Sequence, residues 1–401
     1  MAKMGKEIGP AAFGRAGGDS RHWAAAGFPK KDLITGTLWC SLNPYMLPES
    51  GKGRRMMRRG QVVFVTIATL LGACDVQADM IGPHEVSGEA VRPINGTPEK
   101  AASASRIWEP SAGHIQVPIW PGAVPDALPN PEPESVGPPL GREWWPRANN
   151  VSRPTMTIYA PTGVNTGAAV MVLPGGGYQF LAMDLEGTEI CDWLTSRGIT
   201  CVLLKYRVPE SGPTYRDGKR YYPPVPTALQ DAQRTLGLIR AKAGAYGVDP
   251  KKIGVIGFSA GGHLAAALST NFAKRAYRAI DAADAISCRP DFVLIGYPGH
   301  IWGHEDEDEK VRDASNLKVR GDIRVSSATP PTFIIHAEDD QTDSVQQSLA
   351  YYIALKEAGV RAEMHIYAEG GHAFGVRPTR LPIGNWPKLA EQWLRSIEVI
   401  Q

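Results

Sequence analysis

The sequence predicts an α/β fold, with a mostly parallel central sheet covered by helices on both faces. Two observations carry that expectation. From residue 155 to the C-terminus, short apolar runs alternate with segments of helical period, the pattern of strands joined by crossover helices. Within that alternation, two strands run straight into glycine-rich turns, and one of those turns holds a serine.

Taken in order, strands are expected at 156–159, 168–173, 199–206, 252–257, 291–296, 332–336 and 362–367. Between them, Ala228, Ala232, Leu236 and Ile239 share one helical face after Pro226-Thr227, and Leu349, Tyr352 and Leu355 share another before a glycine stop at Gly359. A last helix at 389–397 closes the domain. Two insertions, 209–226 rich in Pro and Tyr and 300–327 rich in charge, are expected to border the site and to hold its selectivity. Cys191 and Cys201 fall on a helix and the strand after it, and Cys288 precedes another strand. They read as buried thiols, with a disulfide among them left open.

Four motifs carry chemistry. Ile253-Gly254-Val255-Ile256 leads into Gly257-Phe258-Ser259-Ala260-Gly261-Gly262 and then into the helical run His263 to Leu268. A serine held at so tight a strand-to-helix turn takes a strained backbone conformation, and small neighbours let strand and helix approach. Upstream, Leu173-Pro174-Gly175-Gly176-Gly177-Tyr178 ends an apolar strand, so its glycine N–H groups can face a ligand. Downstream, the strand ending at His336 is followed by Ala337-Glu338-Asp339-Asp340, where a carboxylate could orient an imidazole. After the last strand, Gly370-Gly371-His372-Ala373-Phe374-Gly375 places a histidine on a glycine-flanked loop.

The chain order Ser, Asp, His differs from the chymotrypsin and subtilisin orders and is that of the α/β-hydrolase fold. From about residue 150 onward the sequence resembles the α/β-hydrolase superfamily, and within it the bacterial acetyl xylan esterase and xylanase-associated esterase branch with P-G-G-G-Y, G-x-S-A-G-G-H and G-G-H-x-F-G. That resemblance implies Ser259 as nucleophile, His372 as general base and Asp340 as the acid, with oxyanion donors from Gly176, Gly177 and Ala260. Family spacing favours Asp340, with Asp339 the rival and Asp343 a third candidate. Tyr178 and Phe258, beside the two glycine motifs, are expected to line the substrate. Pro174 stands where lipases carry the first residue of H-G-G-G, so lipase substrate preference does not transfer. Among the remaining histidines, His336 and His365 read as satisfied strand residues, and His263 as a local hydrogen-bond partner able to brace the oxyanion loop.

The reaction so implied is removal of short acyl groups, acetyl foremost, from small esters or acylated oligosaccharides and polysaccharides. Neither insertion is long or apolar enough for a helical lipase lid, which argues against long-chain lipids. Feruloyl or other aromatic esters stay open. A prolyl-oligopeptidase-like peptidase shares the residue order, although no propeller-length segment precedes the body, and a non-catalytic binding lipoprotein is the remaining alternative. No cofactor is expected. No C-x-x-C or H-E-x-x-H string suggests a metal, and the acidic run Glu305 to Glu309 beside His304 reads as a solvated face.

The 401 residues exceed the needs of one such domain, and their 43% hydrophobic content is ample for a large core. A basic stretch through Arg58-Arg59 precedes the apolar run Val62 to Leu71 and then Gly72-Ala73-Cys74. That reads as a bacterial export signal over 56–74, too short to span a bilayer and ending like a lipobox. Lipid anchoring at Cys74 and simple cleavage are both open, so the protein is expected to be periplasmic, membrane-anchored or secreted. Residues 1–55 read as a non-native or disordered extension, with Met56 or Met57 as the start. Residues 75–109 read as a flexible tether, and the Pro- and Trp-rich segment 110–154 as a wrap around the catalytic domain at 155–401. Residues 1–73 hold 11 Lys+Arg against 4 Asp+Glu, leaving 32 against 37 afterwards. The body is therefore mildly acidic, and nothing in it suggests a nucleic-acid partner. Oligomeric state is not legible.

Overall fold

Each apolar run expected to be a strand is one, and a further short strand completes an eight-stranded sheet. The computed structural model describes residues 107–137, 146–209, 214–216, 219–221, 226–303 and 315–401. The N-terminal extension, the signal-like segment with Cys74, the tether through residue 106, Trp144, Trp145, His304 and the acidic run lie outside the described residues. So does most of the 210–225 insertion, of which the strands Thr214–Arg216 and Lys219–Tyr221 are described.

Numbered within the sheet, the strands are β1 (Gln116–Pro118), β2 (Thr155–Tyr159), β3 (Ala169–Leu173), β4 (Thr200–Lys205), β5 (Ile253–Phe258), β6 (Val293–Gly296), β7 (Thr332–Ala337) and β8 (Ala362–Tyr367). Their spatial order is β1-β2-β4-β3-β5-β6-β7-β8. The β1–β2 and β2–β4 pairs are antiparallel, and every other pair is parallel. Every residue of β3 to β7 is buried, which is why these strands read as unbroken apolar runs instead of alternating ones.

Among the described residues, five α-helices connect and cover the sheet: α1 (Glu189–Thr195), α2 (Pro226–Ala241), α3 (Ala260–Thr270), α4 (Gln346–Glu357) and α5 (Trp386–Ser396). Trp193 of α1 meets Trp386 of α5 edge-on at 5.2 Å, joining the two helices of one layer. On the other layer, Ser269 of α3 and Tyr351 of α4 share a hydrogen bond at 3.3 Å. No helix among the described residues is long and apolar enough to cross a membrane.

The segment expected to wrap the body is pinned by its aromatic residues. The buried Trp120 indole donates to Asp231 Oδ1 of α2 at 2.8 Å, and Arg234 Nε of the same helix donates to the Ile119 carbonyl at 3.0 Å. Asp231 is fully buried and also pairs with Arg207 at 2.9 Å, so its charge is neutralised where it sits. The strand β1 was not expected, because three residues ending in proline carry no readable period. Trp108 was expected in a flexible tether reaching residue 109, and it is packed instead. Trp108 is 6% exposed and its indole donates to Asp184 Oδ1 at 3.3 Å, since a large aromatic gains more by burial than a flexible linker can retain.

Cys191 of α1 and Cys201 of β4 form a disulfide, with their Cα atoms 5.2 Å apart across ten residues of chain. The sequence left this bond open because helix-to-strand spacing does not fix Cβ directions. The Cys201→Ala variant is expected to lose about 2–3 kcal/mol of stability by loop-closure entropy, read as a lower midpoint in denaturant unfolding, with no change of fold by circular dichroism.

Candidate active site

The carboxyl ends of β3, β5, β6, β7 and β8 lie along one edge of the sheet, since Leu173 registers with Gly257 and Phe258 with Gly296. The loops leaving that edge carry all four motifs. In open α/β sheets, ligand sites form in this crevice.

Ser259 caps α3 with φ 51° and ψ −122°, a conformation that costs a non-glycine residue about 1–3 kcal/mol. Backbone bonds hold it there. Its N–H donates to the Gly296 carbonyl at 3.0 Å, and its own carbonyl accepts from Gly262 and Gly299 at 2.9 and 3.2 Å. The turn tolerates no side chains on its flanks. A Cβ at Gly257 would lie 2.0 Å from the Gly261 carbonyl oxygen, and one at Gly261 would lie 2.1 Å from that of Leu173.

His372 Nε2 lies 3.0 Å from Ser259 Oγ, and its Nδ1 lies 2.7 Å from Asp340 Oδ2. With Nδ1–H donating to the carboxylate, the Nε2 lone pair faces the serine hydroxyl. Of the three acids that competed in the sequence, Asp340 reaches the imidazole Nδ1, whereas Asp339 Oδ1 accepts the Gly371 N–H at 2.7 Å and so fixes the histidine loop. The other oxygen of Asp340 accepts the N–H groups of Thr342 and Asp343 at 2.8 and 3.0 Å. Burial alone would raise the Asp340 pKa, but hydrogen bonds from His336 and His372 and the imidazole charge hold it well below the usual carboxylate range. Asp343 approaches the opposite side of the ring, 3.8 Å from Nε2.

The oxyanion candidates come from the loop after β3 and from the start of α3. Gly176 and Gly177 have φ values of +129° and +60°. Gly175 N–H is engaged by Glu186 Oε2 at 2.7 Å. Among the described residues, no protein acceptor takes the N–H of Gly176, Gly177 or Ala260. Ala260 is the first residue of α3, where N–H groups lack intrahelical partners and the helix dipole favours negative charge.

Both expected substrate residues are buried. Tyr178 is buried beside the oxyanion glycines, and its hydroxyl bonds His263 Nδ1 at 2.7 Å. Asp322 holds the other ring nitrogen of His263 at 3.1 Å, so His263 braces the oxyanion loop against α3. Phe258 is a correction. It is wholly buried, with its ring 5.5 Å from Tyr297 and 6.2 Å from Trp386, because a residue preceding the elbow on a central strand points into a helix-covered face.

Three residues near the site were not singled out for it in the sequence. Glu186, buried in the short helical turn Asp184–Thr188, accepts Gly175 N–H with one oxygen and the Tyr297 hydroxyl, at 2.9 Å, with the other. The Tyr297 ring lies 5.0 Å from that of His372, and its hydroxyl accepts Gly375 N–H at 3.3 Å, so one carboxylate ties the oxyanion loop to the histidine loop. His336, read as a satisfied strand residue, accepts from Ser348 Oγ at 2.8 Å and faces Asp340 Oδ2 at 3.3 Å. Its spacing of four before Asp340 was the available signal. His365 bonds Glu363 at 2.9 Å away from these groups. Among the described residues, no group of three or more His, Cys, Asp or Glu is arranged to hold a metal ion.

A strained serine between β5 and α3, an imidazole on it and a buried carboxylate behind the imidazole, on this sheet order, define an α/β-hydrolase. The chain belongs to the prolyl oligopeptidase family, whose sequence model matches residues 192–395. It is 30% identical over 257 residues to an acetylxylan esterase of Xylanibacter ruminicola, covering 58% of this chain and 46% of that protein. It is 25% identical over 223 residues to an ethyl acetate hydrolase of Pseudomonas putida, covering 52% of this chain and 66% of that one. The chain thus spans less than two thirds of these curated relatives. The crystal structure of an acetyl ester-xyloside bifunctional hydrolase from Caldicellulosiruptor lactoaceticus superposes with a TM-score of 0.56 at 30% identity, covering 72% of this chain and 97% of that one.

Two outcomes are expected. Alanine at Gly261 gains about 1 kcal/mol in helix propensity but drives a Cβ into the Leu173 carbonyl. Gly261→Ala is therefore expected to lower stability by about 1–3 kcal/mol in thermal unfolding and to abolish labelling of Ser259 by a fluorophosphonate. Burial works to lower the His372 pKa, but the hydrogen bond to Asp340 and the charges of Asp343, Asp340 and Glu186 outweigh it and raise the value above 6.5. Because only neutral imidazole can take the serine proton, kcat/KM for a neutral ester is expected to rise with pH along a limb whose midpoint lies above 6.5.

Proposed function

We propose that the protein is an exported serine esterase that removes short acyl groups, chiefly acetyl, from carbohydrates. The observation that carries the reading is the continuous relay from Asp340 through His372 to Ser259 Oγ, at 2.7 and 3.0 Å. Similarity to an acetylxylan esterase and to an acetyl ester-xyloside hydrolase supports the acyl and carbohydrate parts. Export draws support from the signal-like segment 56–74 and from the Cys191–Cys201 bond, since disulfides persist in oxidising compartments.

The mechanism follows from the atoms present. As Ser259 Oγ attacks the ester carbonyl carbon, its proton passes to His372 Nε2, and Asp340 holds the ring and stabilises the imidazolium. The carbonyl oxygen becomes an oxyanion facing the N–H groups of Gly176, Gly177 and Ala260, each donor worth roughly 3 kcal/mol in the transition state. Collapse returns the proton from Nε2 to the departing alkoxide. Water then enters, loses its proton to the same nitrogen, and releases the acid.

A second reading, peptide hydrolysis, is favoured by the family to which residues 192–395 belong. The same relay can cleave amides, so substrates must separate the two. The expected order of kcat/KM is p-nitrophenyl acetate above butyrate, with octanoate far below, accompanied by release of acetic acid from acetylated xylan. Ser259→Ala is expected to lose about 10⁶-fold in kcat. Cleavage of a prolyl peptide amide without ester turnover by the folded protein would move the assignment to a peptidase.

A further inference from the structure

The mechanism above leaves one carboxylate beside the reacting atoms without a role. Asp343 Oδ2 lies 3.4 Å from Ser259 Oγ, within reach of its hydroxyl proton, and 3.8 Å from His372 Nε2. It is on the wrong side of the ring to be the triad acid, which must hold Nδ1. It is also not a solvent-facing side chain that happens to fold inward. Its side chain is 11% exposed. Its N–H is held by Asp340 Oδ1 at 3.0 Å, and its carbonyl faces His336 Nε2 at 2.9 Å, so the triad acid and its neighbour fix the backbone that carries it. From the β6 loop, Gly299 leaves the necessary space. Any Cβ there would lie 2.6 and 2.7 Å from the two carboxylate oxygens.

We propose that Asp343 is a second catalytic carboxylate, which, once the Ser259 proton has moved to His372, stabilises the imidazolium from its Nε2 side. The inference rests on Ser259 and His372 acting as nucleophile and base, and not on any particular ester. Asp343 stays ionised throughout. The Oγ–H bond breaks, the Nε2–H bond forms, the Oγ–C bond forms, and the carbonyl electron pair moves onto oxygen. The imidazolium produced lies between two carboxylates, Asp340 at Nδ1 and Asp343 near Nε2.

Such an arrangement makes His372 a stronger base that stays protonated to higher pH. The other titratable groups around the ring are Tyr297 on its face, with Glu186 behind the phenol, Asp339 on the adjoining Gly371 N–H, and His336 against Asp340. Behind Gly299, His300 is buried toward Tyr178 and His263. Asp343 differs from all of these in contacting both Ser259 Oγ and Nε2, so removing its charge acts on the proton transfer itself.

The test uses the full protein and diisopropyl fluorophosphate, a neutral reagent that needs only the serine and its base. Oγ bonds to phosphorus, fluoride leaves, and the serine proton passes to His372. Second-order inactivation rates are measured from pH 5 to 9 for wild type, Asp343→Asn and Asp343→Ser, with thermal midpoints to establish folding, and the His372 imidazole is titrated by NMR in the same proteins. The expected result for both variants is a fall of the inactivation midpoint and of the NMR pKa by about one pH unit. The plateau rate above the midpoint is expected to fall by up to about tenfold, with rates on the acid side equal to wild type or above it. A general loosening of the site would instead lower rates equally at every pH, and unchanged midpoints in folded variants would overturn the proposal. Wild-type protein inert to the reagent would sink the nucleophile and base assignment, and this inference with it. Reactive wild type that releases no acetate from xylan would count against the substrate reading alone and leave the role of Asp343 decided by the midpoints.

Discussion

The site depends on one backbone constraint, the left-handed conformation forced on Ser259 where β5 turns into α3. A relaxed serine there would lie along the strand with its hydroxyl in the sheet. The strain is held by groups that have no other use in the chemistry: the Gly296 carbonyl, the N–H of Gly262 and the bare Cα positions at 257 and 261. Because the Gly261 carbonyl fills the space a side chain at 257 would need, strand and helix touch through backbone alone. The first turn of α3 therefore faces the same point as the serine oxygen. Ser259 and the first N–H of α3, at Ala260, are thus placed by a single turn.

Around that turn the loops are held by directional contacts to carboxylates, Asp340 and Glu186 buried and Asp322 half-buried. Asp340 spreads its two oxygens over His372, His336 and two backbone N–H groups, and these partners outweigh burial and hold its pKa low. Glu186 does the equivalent work between Gly175 and Tyr297. Asp322 takes the far side of His263, whose near side holds Tyr178. A buried carboxylate that lost one of these partners would keep its desolvation cost and lose the compensation. Each loop is for that reason locked by a directional contact, which a tight catalytic geometry requires and dispersion forces cannot supply.

The parts legible in the sequence are those with a period or a sterically enforced residue. The central strands declared themselves as unbroken apolar runs because both sheet faces are covered, and the elbow by glycines that admit no substitute. The residues that position the site carry no such mark. Glu186 lies in a turn whose neighbours give no pattern, and its importance comes from Gly175 and Tyr297, 11 and 111 residues away in sequence. Phe258 was misassigned because proximity to Ser259 in sequence says nothing about strand facing. The Cys191–Cys201 bond needed the packing of α1 against β4, and Trp108 needed Asp184 as its partner.

Peptidases and esterases of this family share the relay, so what divides them must act where their substrates differ, at the group that leaves. In the mechanism proposed for this chain, that group receives its proton from His372 Nε2, the nitrogen beside which Asp343 lies. An alkoxide is a far better leaving group than an amine anion and needs less proton delivery in its transition state. An imidazole made more basic by a second carboxylate is a stronger acceptor of the serine proton and a weaker donor to the leaving group. That bias suits a substrate whose difficult step is the attack on the carbonyl, which is the case for esters and not for amides. The charge arrangement proposed around His372 would therefore favour esters over amides.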